Sequence, residues 1–361
     1  VRHVFHAIQP RARSARIILI YKNFACNPLV SHIGLGVAAR NTAAVLRQHG
    51  FWAEVWAVDN PNTLQKLIKD AQTQAQQNGE YPISHIVISA LWVPSAIISA
   101  LAMAFTDITF TVLSHSNVGF LQVEPNAIKL LREEFVLSHG LLNFRIAGAC
   151  KRYTDWVPKA YGVNAYWLPN LYDLSTTPTR PAPATWRPGS ILRIGCFGAI
   201  RPLKNTLSAA GAAVEVATRL NVDTEFWVSS GRVDGPVTVV NAVRQLLANI
   251  PKLTLKELPW CSWPEFRRVV ASMNILMQPS YTESFNIVTA DGVVEGIPSV
   301  VSAAIDWVPP HWQAEPDDVN DIADKTISLL HDAHAPHQGL QALKAHNQIG
   351  LNSWKDYLLK T

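Results

Sequence analysis

Two carboxylates, Glu283 and Asp291, stand eight positions apart, separated by Ser284, Phe285, Asn286, Ile287 and Val288 and then a short run that reads as a helix. An apolar strand-like stretch over 274–280 precedes them, and Gly296, Ile297 and Pro298 turn the chain into another strand. Strand, loop, helix and strand in that order set a polar loop at the carboxyl end of a parallel strand and at a helix N-terminus. Free backbone N–H groups at such a junction bind sugar oxygens or phosphate. A carboxylate accepts at both oxygens and so suits a vicinal diol. Arg201 and Lys204 lie upstream, in a loop that opens at Gly198 after a strand at 191–197. Cations there can neutralise charge developing on a departing diphosphate, the arginine through its forked donors. His115 follows a strand-like run at 108–113, where α/β sheets place ligand-contacting residues. Gly34 and Gly36 follow the first strand, at 15–21, and let the backbone approach a ligand closely.

The elements that must position these groups fall into two similar halves. The first has strands at 15–21, 51–58, 85–89 and 108–113, with helices at 37–49 (closed by Gly50), 94–105 and 151–161. It ends in a short strand leading to Pro169 and Asn170. Residues 176–189 carry Pro178, Pro181, Pro183 and Pro188, a density that forbids a packed element. The second half alternates strands at 191–197, 223–229 and 253–258 with helices at 206–220, 237–249 and 263–271, then a helix at 322–331 and a final amphipathic helix. Two β-loop-α-β units joined by a proline linker predict two doubly wound α/β domains facing a cleft. The expected division is 1–175, a linker at 176–190, a second domain at 191–340 and a closing helix at 341–361.

Bulk properties fit a soluble enzyme. The 361 residues are 48% hydrophobic and 16% charged, enough for two cores and too apolar for disorder. A net charge of +4 demands no nucleic acid, yet suits a phosphorylated ligand or an anionic surface. Cys26, Cys150, Cys196 and Cys261 form no CxxC pair, which speaks against zinc and a disulfide framework and for a reducing, cytoplasmic location. The apolar runs at 17–21 and 95–105 are too short for a signal peptide or a membrane span, and the second reads as a buried helix. Trp92, Trp260, Trp263, Trp307 and Trp312 could stack on sugars, but packing is the expectation for most of them. Glu124, Glu133 and Glu134 could serve an acceptor pocket, but solvated helix charges are the expectation. His331, His334 and His337 read as surface histidines in a loop, not a metal set. Arg2, Arg11, Arg13 and Arg16 gather near the start without a motif.

The block at 281–298 resembles the signature of the retaining, GT-B-fold glycosyltransferases of family four. That signature is an acid, a Gly-Phe-Gly-like loop, a second acid eight positions on and a Gly-x-Pro turn. Asn286 stands where a glycine is usual, Asp291 is one methylene shorter than the usual glutamate, and Ala199 occupies the usual arginine position, with Arg201 displaced. Lys204 aligns with the family lysine. The resemblance implies an α/β GT-B fold: two Rossmann-like domains facing a cleft, and a C-terminal helix crossing back to the N-terminal domain. It implies a retaining, metal-independent hexosyltransferase that needs no cofactor and uses a nucleoside-diphosphate sugar as donor. His115, Glu283, Lys204 and Arg201 would be catalytic. Gly34, Gly36, Gly198, Ser284, Phe285, Asn286, Ile287 and Asp291 would complete the donor site, Asp291 at the ribose hydroxyls. The acceptor stays open among a glycan, a lipid-linked sugar, a protein and a modified base in DNA, and peripheral membrane contact is compatible with the chain. A non-hydrolysing nucleotide-sugar epimerase and a silent nucleotide-sugar-binding protein share the architecture.

Overall fold

The computed structural model describes residues 15–23, 33–124, 126–175, 178–179, 186–231 and 238–360. Arg2, Arg11, Arg13, Cys26, Pro181 and Pro183, named above, lie outside the described residues. The first half runs β1 (Arg16–Lys22), α1 (Ile33–Gln48), β2 (Trp52–Val58), α2 (Leu64–Asn78), β3 (Ile83–Ser89), α3 (Ser95–Ala104), β4 (Thr109–Ser114), α4 (Val118–Leu121), α5 (Ala127–Gly140), β5 (Phe144–Gly148), α6 (Lys151–Tyr161) and β6 (Ala165–Trp167). The second runs β7 (Leu192–Cys196), α7 (Thr206–Leu220), β8 (Thr224–Ser229), α8 (Thr238–Leu247), β9 (Leu253–Leu258), α9 (Trp263–Val270), β10 (Ile275–Gln278), α10 (Ile287–Val294), β11 (Ser299–Val301), α11 (Val319–His331) and α12 (Ala335–Lys360). Helices α2 and α5 add to the elements read from the sequence.

Each half builds one parallel sheet, ordered β2-β1-β3-β4-β5-β6 and β11-β10-β7-β8-β9. The central strands are continuous apolar runs because helices cover both faces. Successive side chains alternate between faces. Thus Ile18 and Ile20 join one core cluster with α2, α3 and α5, while Ile17 and Leu19 join another with α1 and α12. In the second half Ile275 and Met277 point to one core and Leu276 to the other. Helix α7 is alanine-rich, and its buried small residues let it pack closely, with Gly211 facing Val319 at the start of α11. Gly50, at φ +87°, closes α1.

Helix α12 belongs to both halves. Gly339 packs on the Trp312 ring of the second half. Farther along, Asn347 exchanges hydrogen bonds with the backbone of Tyr172, the Trp354 indole donates to Pro169 O at 2.8 Å, and Tyr357 meets the Thr111 hydroxyl.

Some local expectations change. Gly34 and Gly36 lie in the first turn of α1, not in the loop before it. The run over 95–105 is half buried: Ile98 and Leu101 face the core, whereas Met103 is 64% exposed. His331 ends α11 and His337 lies within α12. Glu134 is 1% exposed, not solvated, because Ala127, Leu131, Glu134 and Phe135 share the inner stripe of α5. Burial, with Glu133 beside it, pushes the Glu134 carboxyl well above the usual range. Among the described residues no helix is long and apolar enough to cross a membrane.

Candidate active site

The carboxyl ends of the two sheets face a shared cleft of about 850 Å³. On the second-half side, β7 runs into Gly198, whose φ of +117° turns the chain across the strand end and whose N–H reaches Ser229 Oγ at 3.3 Å. One 3-10 turn, Pro202–Lys204, follows. Asn205, at φ +57°, then opens α7 and pins the loop by donating to Pro279 O at 3.0 Å and Pro316 O at 2.6 Å. Tyr281 N donates to Leu203 O at 3.0 Å, so the basic loop and the two-acid loop are tied backbone to backbone.

This tie brings Lys204 onto Glu283: the ammonium donates to Oε1, with both side chains largely buried. Asn286 Nδ2 donates to the same oxygen at 3.0 Å. Asn286 sits at φ +61°, a conformation that favours glycine but that asparagine tolerates. Its side chain does what glycine cannot, accepting from Thr289 N at 2.9 Å to cap α10 while steadying Glu283. Asn286→Gly is therefore expected to shift stability by a few tenths of a kcal/mol. Asn286→Ala loses the cap and strains the backbone, at about 1–2 kcal/mol for the left-handed conformation alone. Urea unfolding of the two variants reads the order, and an alanine variant as stable as the glycine one contradicts the cap.

On the first-half side, β4 ends at Ser114 and the turn through His115, Ser116 and Asn117 enters the cleft. The turn is bonded across to the other half: Ser284 Oγ donates to His115 O at 2.7 Å, and Asn117 Nδ2 donates to Glu283 O at 2.6 Å. Arg152, at the start of α6, donates to the carbonyls of Glu283, Ala303 and Ala304. Burial pushes the His115 imidazole down to about 4, so it is neutral at pH 7, and its Nε2 has no partner among the described residues. The unfolded chain takes up a proton near pH 6.5 that folded His115 refuses until about 4, so this group loses stability as pH falls between those values. His115→Asn is expected to gain stability relative to the parent as pH drops from 7 to 5. Melting temperatures across that range test it, and a constant difference contradicts it.

Other expected site residues are placed as follows. Gly198, Arg201, Ser284, Ile287 and Gly34 line the cleft, and the Arg201 guanidinium lies 4.5 Å over the Phe120 ring. Gly36 faces the Tyr21 ring instead, 3.0 Å from where a Cβ would stand. Phe285 is buried, stacked on Trp307, with its carbonyl taken by the Trp307 indole at 2.6 Å. Asp291 touches the cleft but is 0% exposed. It accepts from Tyr172 OH at 2.5 Å and from the Trp263 indole at 3.1 Å. Burial pushes its carboxyl up to about 7, against the pull of those two donors and Arg267. Trp307 and Trp312 pack in the core as expected, but Trp92, Trp260 and Trp263 line the cleft. Asn117, Arg152 and Tyr172 carry no site signal in the sequence.

Solved structures share this fold at low sequence identity. Sucrose-phosphate synthase from Thermosynechococcus elongatus matches with a TM-score of 0.62 at 12% identity over 96% of this chain and 97% of that one. Anabaena HepE in complex with UDP and glucose matches at 0.58 and 13%, over 94% and 99%. A mutant of S. aureus TarM in complex with fondaparinux, alpha-GlcNAc-glycerol and UDP matches at 0.60 and 14%, over 82% of this chain and 58% of that one. The fold is GT-B. The chain thus spans little more than half of TarM and nearly all of the other two. No family model matches the chain, and no curated protein does. In this GT-B frame Lys204, Glu283 and Asn286 come from one lobe and His115 from the other, meeting at the strand ends where open α/β sheets bind ligands.

Proposed function

We propose that the chain is a retaining, metal-independent glycosyltransferase that moves a hexose from a nucleoside-diphosphate sugar to an acceptor hydroxyl. The observation that carries this reading is the contact of Lys204 and Asn286 with one oxygen of Glu283, at a cleft wall facing neutral His115. The GT-B neighbours named with UDP lend it support.

The donor lies on the second lobe. Lys204 keeps spare N–H donors beyond its bond to Glu283, and with Arg201 it neutralises the diphosphate as the glycosidic bond breaks. Glu283 and the backbone from Ser284 to Ile287 orient the sugar hydroxyls. His115 adds a neutral contact from the other lobe, its free Nε2 available to a hydroxyl. The acceptor attacks from the leaving-group side, and a departing phosphate oxygen takes its proton. The bonds from Asn117, Arg152 and Ser284 hold the lobes together and exclude water.

Asp291 favours a second reading, a protein that binds a nucleotide sugar without transferring it, because Tyr172 and Trp263 already hold the carboxylate expected at the ribose. An epimerase of the same architecture would act on donor alone. The deciding experiment is thermal stabilisation by UDP, GDP, ADP, CMP, dTDP and their sugar conjugates, followed by product analysis with and without acceptors. Ligand at 100 times its Kd stabilises by about 2.7 kcal/mol. A selective shift plus acceptor-dependent nucleotide release is expected. A shift without release supports the silent protein, and no shift with any nucleotide removes the donor class.

A further inference from the structure

Each wall of the cleft carries both polar and apolar side chains. The second-lobe wall sets Arg201, Lys204, Ser229, Thr282, Glu283 and Asn286 beside Leu203, Leu258, Trp260 and Phe266. The first-lobe wall, away from the turn at 114–117, is built from Leu35, Val37, Leu91, Trp92, Phe120 and Val123. Its charged side chains among the described residues are Lys22 and Glu124, and both already interact with other groups. The Trp92 indole spends its one polar atom on Ser89 O at 3.1 Å. Its ring has the Lys22 ammonium 6.0 Å over it, as Phe120 has the Arg201 guanidinium at 4.5 Å, which leaves the opposite ring faces and edges as the apolar contact. The chain is forced into this shape, since Ala90, before Leu91 and Trp92, sits at φ +69°. Val123 is 46% exposed, so the apolar lining reaches the protein surface there.

A sugar acceptor carries a hydroxyl on nearly every ring carbon, and each one buried without a partner opposes binding. Among the buried side-chain polar atoms of the first-lobe turn, His115 Nε2 and Asn117 Oδ1 have no partner, enough for about one hydroxyl. We infer that the acceptor is a single hydroxyl on an apolar body, which lies along Leu91, Trp92, Phe120 and Val123 with the hydroxyl toward His115. This inference rests on the transferase reading for what happens to the hydroxyl, but the apolar seat itself needs no donor.

The test is therefore a binding series without donor. Ethanol, 1-butanol, 1-hexanol, 1-octanol, benzyl alcohol, methyl glucoside and maltose are titrated calorimetrically into the full chain. Affinity is expected to rise about threefold to fourfold per methylene along the straight-chain alcohols, with no saturable binding of the two sugars. Leu91→Asn and Val123→Asn, both at partly exposed positions, should each weaken octanol at least fivefold. Leu142→Asn, at a side chain 94% exposed and outside the cleft lining, should leave it unchanged. Benzyl alcohol binding more tightly than hexanol assigns the seat to a flat aromatic body, and the reverse order to an aliphatic chain. Affinity independent of chain length, preference for the sugars, or octanol binding that survives both cleft variants overturns the inference. A chain-length effect without any nucleotide shift keeps the seat and discards sugar transfer; a nucleotide shift without a chain-length effect discards the seat alone.

Discussion

Replacing Lys204 by alanine is expected to lower turnover by about 10²–10³-fold, the usual cost of removing one preorganised electrostatic contact from developing charge. The loss should fall on kcat more than on KM, since the ammonium matters most when the diphosphate departs. Glu283→Ala should abolish transfer without unfolding the chain, because the loop backbone is held independently by Asn117, Arg152 and Tyr281. The Lys204 and Glu283 side chains touch, so the double variant should be far less damaged than the product of the two single effects. Single-turnover kinetics on the three variants, with circular dichroism as the fold control, make the measurement. Lys204→Ala at wild-type speed would remove the basic loop from the mechanism.

Arg267→Leu should have the largest effect on stability. Arg267 in α9 donates to Glu295 at the end of α10, and both side chains are nearly or fully buried. Glu295 also accepts from Thr179 N at 2.8 Å and Thr179 Oγ1 at 2.6 Å, tying the segment between the lobes to the second lobe. Removing the arginine leaves a buried carboxylate without its cation, which costs about 3–5 kcal/mol. The paired change Arg267→Leu with Glu295→Leu removes both charges and should recover most of that loss. Urea midpoints at constant m-value decide. A single variant within 1 kcal/mol of the parent, on the order of an exposed pair, would show that the pair is not desolvated. Arg267 also lies 5.6 Å under the Trp263 ring, so donor affinity should fall along with stability.

The architecture was legible because parallel strands covered on both faces leave unbroken apolar runs such as 17–20 and 275–277, punctuated by turn residues. The cluster of Glu283 and Asn286 was legible because a local motif carries it, and Lys204 because its loop follows a strand end. What escaped were contacts made only by tertiary docking. Asn117 and Arg152 reach Glu283 from 166 and 131 residues away, and Tyr172 reaches Asp291 across 119. No window of sequence records such pairings. At Phe285 the resemblance implied a role for the backbone alone, and the side chain packs on Trp307, because a large apolar group gains more from burial than from facing a wet cleft. Glu134 could have been placed, since its spacing from Ala127 and Leu131 already put it on the inner stripe of α5.

The first lobe does not own all of its core. Leu351, Trp354, Tyr357 and Leu358 of α12 complete the layer beneath β1, β3 and β4. A ribosome delivers those residues only after the whole second lobe has been made, and domains otherwise fold in order of synthesis. The nascent first lobe must therefore wait with an uncovered apolar face, through translation of more than 150 residues, until α12 emerges. That interval is when the chain is most exposed to aggregation and to chaperone capture, and α12 is the element whose arrival ends it.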